Sequence, residues 1–336
     1  MRRRTLALFA PALLAAPALS ACGRAAGTAG TPGAAPAGEG ATVYPRQIAN
    51  CEAELLVPAI PQRVLLLESA SVTILDALGV LPAVIGRAGS FPAGYYAPDL
   101  AARIAEIPAL SEDIDASGHL MISAEMVIAQ SPDLVLGLPD GLTREGLADA
   151  GAQVLIPEAY CTAGEPASLD DLGAQISVYG EIFDRPGRAA EVWEQLSARI
   201  ADARERAAAL PRRTAAVLYP SVGGGPLYAY GAASMATPQL AAAGLDNVFA
   251  ASAERVFEVG AEALLAADPD VLILLHQGQE DAAVIDEVRA VAGLDALAAL
   301  AAGAVLPMLF NFTEPASPLI VDGLTRILDL REGLPA

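Results

Sequence analysis

The chain has 336 residues, with 20 Lys and Arg against 40 Asp and Glu, and a formal net charge of −20 at pH 7. Because contacts with phosphate need a basic surface, this charge argues against nucleic-acid binding. Hydrophobic residues make up 54% of the chain and aromatic residues only 5%, which favours helices packed on a sheet around small aliphatic side chains.

Residues 1–21 have the organisation of an export signal. Three arginines follow Met1, and an apolar run then extends from Leu6 to Leu19. This run of about 14 residues is too short for a stable membrane-spanning helix. It ends in Leu-Ser-Ala-Cys, which resembles the bacterial lipobox, so we predict a lipoprotein signal peptide over 1–21 and lipidation of Cys22. The alternative is an ordinary cleaved signal in which Cys22 has no role.

The next segment, residues 22–43, has the composition of a linker. From 23 to 42 it holds only Gly, Ala, Thr and Pro with one Arg and one Glu. Such a stretch cannot bury enough apolar surface to fold alone. We therefore predict a lipid-anchored flexible linker that holds a folded body at the outer face of the cell membrane. Membrane attachment would be through the lipid alone.

Two cysteines remain after Cys22, namely Cys51 and Cys161. An even pair in an exported chain indicates a disulfide, here one that closes a loop of about 110 residues. A thiol metal site is the alternative, but neither a His nor another Cys lies near either residue. With two His in the chain, we predict no metal site.

The first half of the body alternates apolar runs with helical segments. Strands are predicted at 63–67, 83–86, 133–136 and 153–156, and a helix at 69–78. This alternation indicates βαβ units and a mostly parallel sheet. We predict an N-terminal α/β lobe over residues 44–183.

One long amphipathic helix interrupts the pattern. Charged and apolar residues alternate at helical spacing from Pro186, which suits a first turn, to Pro211, which ends the helix. Strands are then predicted at 214–218, 271–275 and 305–309. The predicted fold is therefore α/β, with two Rossmann-like lobes of mostly parallel sheet joined by one long α-helix. The connecting helix is assigned to 184–211 and the C-terminal lobe to 212–336.

The two halves share a repeated segment. Ser123–Leu136 and Gly260–Ile273 align without a gap, each with Ala-Glu, a seven-residue step to Pro, then Asp and an apolar strand. Chance agreement is the alternative, because a helix followed by Pro-Asp and a strand is a common arrangement. A true repeat implies two similar lobes with a cleft between them.

Several short motifs, in this order, resemble those of class III periplasmic binding proteins over residues 44–332. They are Asn50–Cys51, Pro61–Val64, Leu75–Val80, Val84–Arg87, Ser131–Val135, Gly180–Phe183, Asn247–Ala250 and Asp268–Leu272. These proteins are the solute receptors of ABC importers for iron–siderophores, haem and cobalamin. The resemblance implies an ABC permease dimer with its ATPase as partner, a monomeric receptor and modest lobe closure. It also implies a disulfide between Cys51 and Cys161.

The resemblance further implies that one glutamate on each lobe docks on arginines of the permease. The matching positions are Glu125 and Glu262, each near the start of its repeated helix, where a carboxylate is favoured. Simple helix capping is the alternative for both.

Ligand is expected where loops follow the carboxyl ends of strands. Tyrosine suits a flat, partly polar ligand, and a guanidinium binds carboxylate or catecholate oxygens in pairs, which singles out Arg87 and Arg255. Surface ion pairs or core packing are the alternatives, and His276 fits a hydrogen-bonded residue better than a metal ligand. The predicted ligand-binding residues are Glu68, Arg87, Phe91, Tyr95, Tyr219, Tyr230, Arg255, Phe257, His276 and Phe312.

The chain has no Gly-x-Ser-x-Gly elbow, P-loop or His-Glu-x-x-His motif, so we predict that it is not an enzyme and needs no cofactor of its own. The predicted function is capture of a small-molecule metal chelate, foremost a ferric siderophore, for an ABC importer. Cobalamin, haem or another bulky cofactor-like compound is the alternative ligand. A secreted α/β enzyme is the alternative of another class.

Overall fold

The computed structural model describes residues 38–115, 119–161 and 165–335. The predicted signal peptide, Cys22 and residues 22–37 of the predicted linker lie outside these ranges. Within them, no helix combines the length and apolar character needed to cross a membrane.

The described chain alternates strands and helices around two main sheets. The strands are β1 (Arg46–Asn50), β2 (Ala53–Val57), β3 (Val64–Leu66), β4 (Val84–Ala88), β5 (Ala109–Ser111), β6 (Leu134–Leu136), β7 (Gln153–Leu155), β8 (Arg213–Pro220), β9 (Leu227–Tyr230), β10 (Leu245–Asn247), β11 (Val256–Glu258), β12 (Val271–His276) and β13 (Val305–Leu309). The helices are α1 (Ser71–Ala77), α2 (Pro98–Ala105), α3 (Ala124–Ile128), α4 (Arg144–Ala148), α5 (Asp170–Ile182), α6 (Pro186–Ala208), α7 (Ala236–Ala242), α8 (Ala261–Ala267), α9 (Asp281–Ala290), α10 (Ala298–Ala302) and α11 (Leu319–Gly333). Short 3-10 turns include Leu81–Ala83, Ala93–Tyr95, Glu158–Tyr160, Leu294–Ala296 and Phe310–Phe312.

The first lobe is built on a five-stranded sheet in the order β5-β4-β3-β6-β7, with every neighbouring pair parallel. Its central strand, β3, is fully buried along its length. A strand that is covered on both faces needs a continuous apolar run, which β3 has. The predicted strands of this lobe and their parallel pairing are confirmed. The antiparallel β1–β2 hairpin precedes this sheet.

The second lobe is built on a six-stranded sheet. Its order is β11-β9-β8-β12-β13, and β10 pairs in parallel with the start of β8. The β8, β12 and β13 strands are parallel, whereas β9 and β11 are antiparallel to their neighbours. The turn at Gly223–Gly225 brings β9 back along β8, and β9 carries Tyr228 and Tyr230. The α/β fold class is confirmed in both lobes.

The long helix α6 runs for 23 residues with Pro186 in its first turn, as predicted. It packs against α5 of the first lobe and against α7 and α11 of the second. Its contact with α5 is close, because a Cβ on Gly180 would lie 2.6 Å from the Cβ of Ala189. The stripe it buries is Ala189, Val192, Leu196, Ile200, Ala203 and Ala207.

The repeated segments form equivalent structures in both lobes. In each, a short helix (α3 or α8) leads through Pro-Asp into a core strand (β6 or β12). Asp133 accepts hydrogen bonds from the backbone N–H groups of Gln62 (2.8 Å) and Arg63 (3.0 Å), just before β3. Asp270 accepts from the N–H (2.8 Å) and hydroxyl (2.9 Å) of Thr214 on β8. The Pro-Asp aspartate therefore ties two neighbouring strands together in each lobe.

Residues 38–42, which we call the N-terminal strap, dock at the start of α6. The carboxylate of Asp184 accepts the backbone N–H groups of Gly40, Ala41 (2.8 Å) and Thr42 (2.7 Å). These bonds, foremost that from Thr42, lower the pKa of Asp184. In return, Glu39 accepts the N–H groups of Gly187 (2.7 Å) and Arg188 (3.0 Å) in the first turn of α6, where a carboxylate is favoured. Part of the predicted linker thus lies against the folded body.

Candidate ligand-binding cleft

A cavity of about 620 Å³ lies where the carboxyl ends of both sheets meet. Open α/β sheets bind ligands at this edge, because the loops that follow neighbouring strands converge there. The first lobe contributes Glu68 and Ser69 after β3, and Pro139 and Asp140 after β6. The second lobe contributes a wall rich in aromatic side chains, which includes Tyr219, Tyr228, Tyr230, Arg255, Phe310 and Asn311.

Asn311 joins the two lobes at the floor of the cavity. Its backbone N–H donates to the Tyr95 hydroxyl at 3.0 Å, and its side-chain amide lies 2.8 Å from the Ser69 hydroxyl. The rings of Tyr95 and Phe312 meet edge to face at 5.4 Å beside these bonds. The loop that carries Asn311 is therefore fastened to the first lobe as well as to its own.

A buried glutamine holds that loop from behind. The amide of Gln239 donates to the carbonyls of Phe312 (2.6 Å) and Ile320 (2.7 Å) and accepts from the Thr313 hydroxyl (3.1 Å). Gly323 allows α11 to pack close by, since a Cβ there would lie 1.9 Å from the Phe312 carbonyl oxygen. These three side-chain hydrogen bonds of Gln239 hold the segment in place.

Glu68 is the carboxylate that lies deepest in the first-lobe wall. Its oxygens accept the N–H groups of Ala70 (2.7 Å) and Ser71 (3.0 Å) ahead of α1. Burial raises the pKa of this carboxyl to about 7, although these two hydrogen bonds favour the charged form. Glu68 therefore changes its charge near neutral pH, inside the cavity.

Arg255 enters the cavity from the second lobe as half of a buried ion pair. Its guanidinium pairs with Glu314, whose side chain is 0% exposed and also accepts the N–H of Met235 at 3.0 Å. The same guanidinium lies 5.1 Å from the ring centroid of Tyr160 in the first lobe, which is cation–π distance. Burial is the largest single influence and opposes the charge on Arg255, but the Glu314 carboxylate together with Tyr160 and Tyr230 outweighs it, so the pKa of Arg255 is raised above its ordinary value.

The Asn50–Cys51 motif positions Tyr160. Cys51 forms a disulfide with Cys161, with 4.7 Å between their Cα atoms. The side chain of Asn50 donates to the carbonyl of Ile156 (2.8 Å) and accepts its N–H (2.9 Å). The 156–161 segment is therefore held at both ends, and it brings Ile156 and Tyr160 to the cavity.

Four of the ten predicted ligand-binding residues line the cavity, and six do not. The four are Glu68, Tyr219, Tyr230 and Arg255. Arg87 instead pairs with Glu112 at 3.2 Å and lies 5.2 Å from the ring centroid of Phe91.

The other four side chains are held beneath or beside the cavity. Tyr95 and Phe312 are 5% and 3% exposed, below its floor. Phe257 packs against Phe249 at 5.7 Å. His276, which is 6% exposed, accepts the N–H of Gly278 at 3.2 Å, and burial lowers its pKa although nearby Asp281 opposes this.

Sequence reasoning did not select several residues that line the cavity. Tyr160, Phe310 and Asp140 are the clearest examples. Tyr160 had a usable signal, because it precedes Cys161 and any disulfide there would fix its position. Among the described residues, no group of three or more His, Cys, Asp or Glu side chains is arranged to hold a metal ion.

The two glutamates expected to dock on a permease are exposed. Glu125 is the second residue of α3, which Ser123 caps by accepting the Met126 N–H at 3.4 Å. Hydrogen bonds from its own backbone N–H and from Ser123 lower the pKa of Glu125. Glu262 holds the same place on α8, whose cap is Gly260.

A family model described as "Periplasmic binding protein" matches residues 64–308, which cover most of both lobes and the connecting helix. This chain belongs to the periplasmic binding protein family. A solved structure described as an ABC-type Fe3+-hydroxamate transport system of Saccharomonospora viridis is 50% identical, with a TM-score of 0.82, and the match covers 86% of this chain and 99% of that one. No curated protein matches the chain.

More distant periplasmic binding proteins share the fold. A haem-binding protein of Roseiflexus sp. is 22% identical, with a TM-score of 0.64 and coverage of 80% of this chain and 99% of that one. A vitamin B12-binding protein of Vibrio cholerae is 17% identical, with a TM-score of 0.56 and coverage of 82% and 98%. The family consists of solute receptors for ABC transport, which implies an extracytoplasmic location and a permease as partner.

Proposed function

We propose that this receptor captures a ferric hydroxamate siderophore in the cavity between its lobes and delivers it to an ABC permease. The observation that carries the proposal is a 620 Å³ cavity with an aromatic wall, in a chain 50% identical to a protein of an Fe3+-hydroxamate transport system. Cavities of several hundred Å³ hold compact organic ligands, and an iron trihydroxamate is of that class.

The lining suits the surface of such a chelate. Tyr219, Tyr228 and Tyr230 present rings that pack on methylene chains and hydroxyls that donate to hydroxamate oxygens. Arg255 has N–H groups beyond the one used by Glu314 and can donate them to the same oxygens. The iron is cargo in this proposal, already surrounded by the six oxygens of the chelator.

Titration of the purified protein with a panel of ligands tests the proposal. The panel is ferrioxamine B, ferrichrome, ferric enterobactin, haem and cyanocobalamin, measured by calorimetry. We expect submicromolar, one-to-one binding of at least one trihydroxamate and no comparable binding of the other ligands. Tight binding of haem or cyanocobalamin alone would contradict the proposal. Turnover of a bound ligand would instead favour the alternative that the protein is an enzyme.

Haem is the second candidate, because His119 and four tyrosines line the same cavity. Both residue types serve as axial ligands of haem iron. A Soret shift on titration with haem, lost in Tyr160→Phe or His119→Ala, would support this ligand over a hydroxamate. If haem has the same spectrum with and without the protein, haem is excluded as the ligand.

We further propose that Glu125 and Glu262 dock on the permease and that lipid on Cys22 anchors the receptor to the outer face of the cell membrane. The exposure of both glutamates and their equivalent places in the repeat support the docking role. Exposed Met126 and Ile128 flank Glu125 on α3 and offer apolar contact area to the permease. For the anchor, mass spectrometry of membrane-extracted protein is expected to find a lipid-modified Cys22 as the first residue.

A further inference from the structure

The charged side chains around the cavity are mostly acidic. Apart from tyrosines, the ionisable side chains that line it among the described residues are Glu68, His119, Asp140 and Arg255. The Asp115 carboxylate is a fifth charged group near the cleft. The pKa of the Tyr219 hydroxyl is raised chiefly by burial and secondly by the negative charge of Asp115.

The second-lobe wall presents no net charge from its ion pair. Arg255 is paired with the fully buried carboxylate of Glu314. A guanidinium that is already paired still donates hydrogen bonds, but its field is largely cancelled beyond a few ångströms. Arg255 therefore does not offer a free positive charge to an anionic ligand.

The first-lobe wall is acidic. The oxygens of Glu68 are hydrogen-bonded to two backbone N–H groups, which are neutral donors. The imidazole of His119 lies 3.8 Å from the carboxylates of both Asp115 and Asp140. The carboxylates of Glu68 and Asp140 on this wall face at most one positive charge, that of a protonated His119, so the wall keeps a net negative charge.

The other cation that the sequence suggested for the site is directed elsewhere. Arg87 pairs with Glu112 and stacks on Phe91, and it does not line the cavity. The whole chain adds a background charge of −20. The local and the global fields therefore have the same sign.

We propose that this cavity selects iron trihydroxamates with a cationic or neutral periphery and discriminates against chelates with a net negative charge. Three hydroxamate anions neutralise Fe3+, so the core of such a chelate is uncharged and its end groups decide the total. This inference rests on the proposed function and specifies its ligand class. Glu68 and Asp140 are the residues that set the preference.

Three ligands with one iron core test it. Ferrioxamine B has a free amine (+1), its N-acetyl derivative is neutral and its N-succinyl derivative is anionic (−1). Calorimetry at pH 8 in 50 mM salt is expected to give affinities in the order amine, acetyl, succinyl, with roughly tenfold per unit of charge. In 300 mM salt the differences should shrink, because charges at a solvated rim are screened.

Two variants identify the source of the preference. Asp140→Asn, at an exposed position that should not disturb folding, is expected to reduce the amine-to-succinyl ratio about threefold or more. Glu68→Gln should reduce it further. The matched control is Asp202→Asn on α6, which removes an exposed carboxylate outside the cavity and should leave the ratio unchanged.

The outcomes separate the two proposals. Equal affinities for the three ligands, or tightest binding of the succinyl form, would overturn the charge preference and leave the proposed function standing. Binding of none of the three would overturn the charge preference, and if ferrichrome does not bind either, it would overturn the proposed function as well. An Asp202→Asn effect as large as that of Asp140→Asn would reassign the preference to the charge of the whole chain.

Discussion

The two lobes share one structural unit but differ in how they build their side of the cleft. Each has a short helix, Pro-Asp and a core strand, with the aspartate bonded to the neighbouring strand. The first lobe holds its cavity segment with a disulfide and presents carboxylates. The second holds its segment with buried Gln239 and presents aromatic rings. A repeat thus fixes the frame of both lobes, whereas the site is built from the parts that are not repeated.

The largest effect, a loss of uptake, is expected from changes to the repeated helices α3 and α8. The double variant Glu125→Arg/Glu262→Arg should abolish uptake of the labelled ligand in cells, because in the proposed docking mode both lobes would then repel arginines of the permease. Each single reversal should reduce uptake only in part. Calorimetric affinity for the ligand should stay within twofold of the original in all three variants. Normal uptake by the double variant would refute the docking role.

The next largest effect concerns the disulfide of the first lobe. Cys51→Ser/Cys161→Ser should lower the free energy of unfolding by about 4 kcal/mol, since the bond closes a loop with a sequence separation of 110. Ligand affinity should also fall several-fold, because Tyr160 loses its anchor. Urea denaturation with and without reductant measures the first effect. The double variant itself should be insensitive to reductant, and unchanged stability would contradict the prediction.

A third difference lies in two carboxyls, partly buried Glu68 in the first lobe and fully buried, ion-paired Glu314 in the second. Since the pKa of Glu68 is raised from 4.5 to about 7 in the folded chain, its contribution to stability is complete below about pH 4.5 and is lost as the pH rises to 7. The loss amounts to at most roughly 3 kcal/mol. Glu68→Gln should therefore flatten the stability profile between these pH values. An equally steep profile in chemical denaturation of the variant would contradict this.

The smallest effect compares the two Pro-Asp aspartates. Asp133→Ala removes the acceptor of two backbone N–H groups, and Asp270→Ala that of one N–H and one hydroxyl. Each should cost about 2 kcal/mol of unfolding free energy, with the Asn variants intermediate. Thermal unfolding of the four variants measures this. If one aspartate costs nothing, the two units are alike in shape but not in energetics.

The sequence predicted the frame well because the frame depends on local signals. Continuous apolar runs mark β3 and β12, and Pro186 and Pro211 bracket α6. The site was predicted only in part, because the carboxyl end of a strand can be located in sequence but the direction of each side chain there cannot. His276 ends β12 and is buried, whereas the next residue, Gln277, lines the cavity.

The parts of the site that were not predicted depend on partners distant in sequence. Nothing near Arg87 in the chain indicates that Glu112 pairs with it, and nothing near Arg255 indicates Glu314. Asp140 lies in the loop after β6, whose path is set by the packing of the lobes. Such contacts arise only once the fold is formed, so a reading of local patterns does not reach them.

The N-terminal strap has a mechanical consequence. Because Asp184 and Glu39 fasten residues 38–42 at the first turn of α6, any pull on the chain ahead of residue 38 enters the body at that turn and not at β1. A receptor tethered by its N-terminus would thus be attached through α6, the helix between its lobes. Immobilisation through an N-terminal tag should accordingly leave both lobes free to move around the point of attachment.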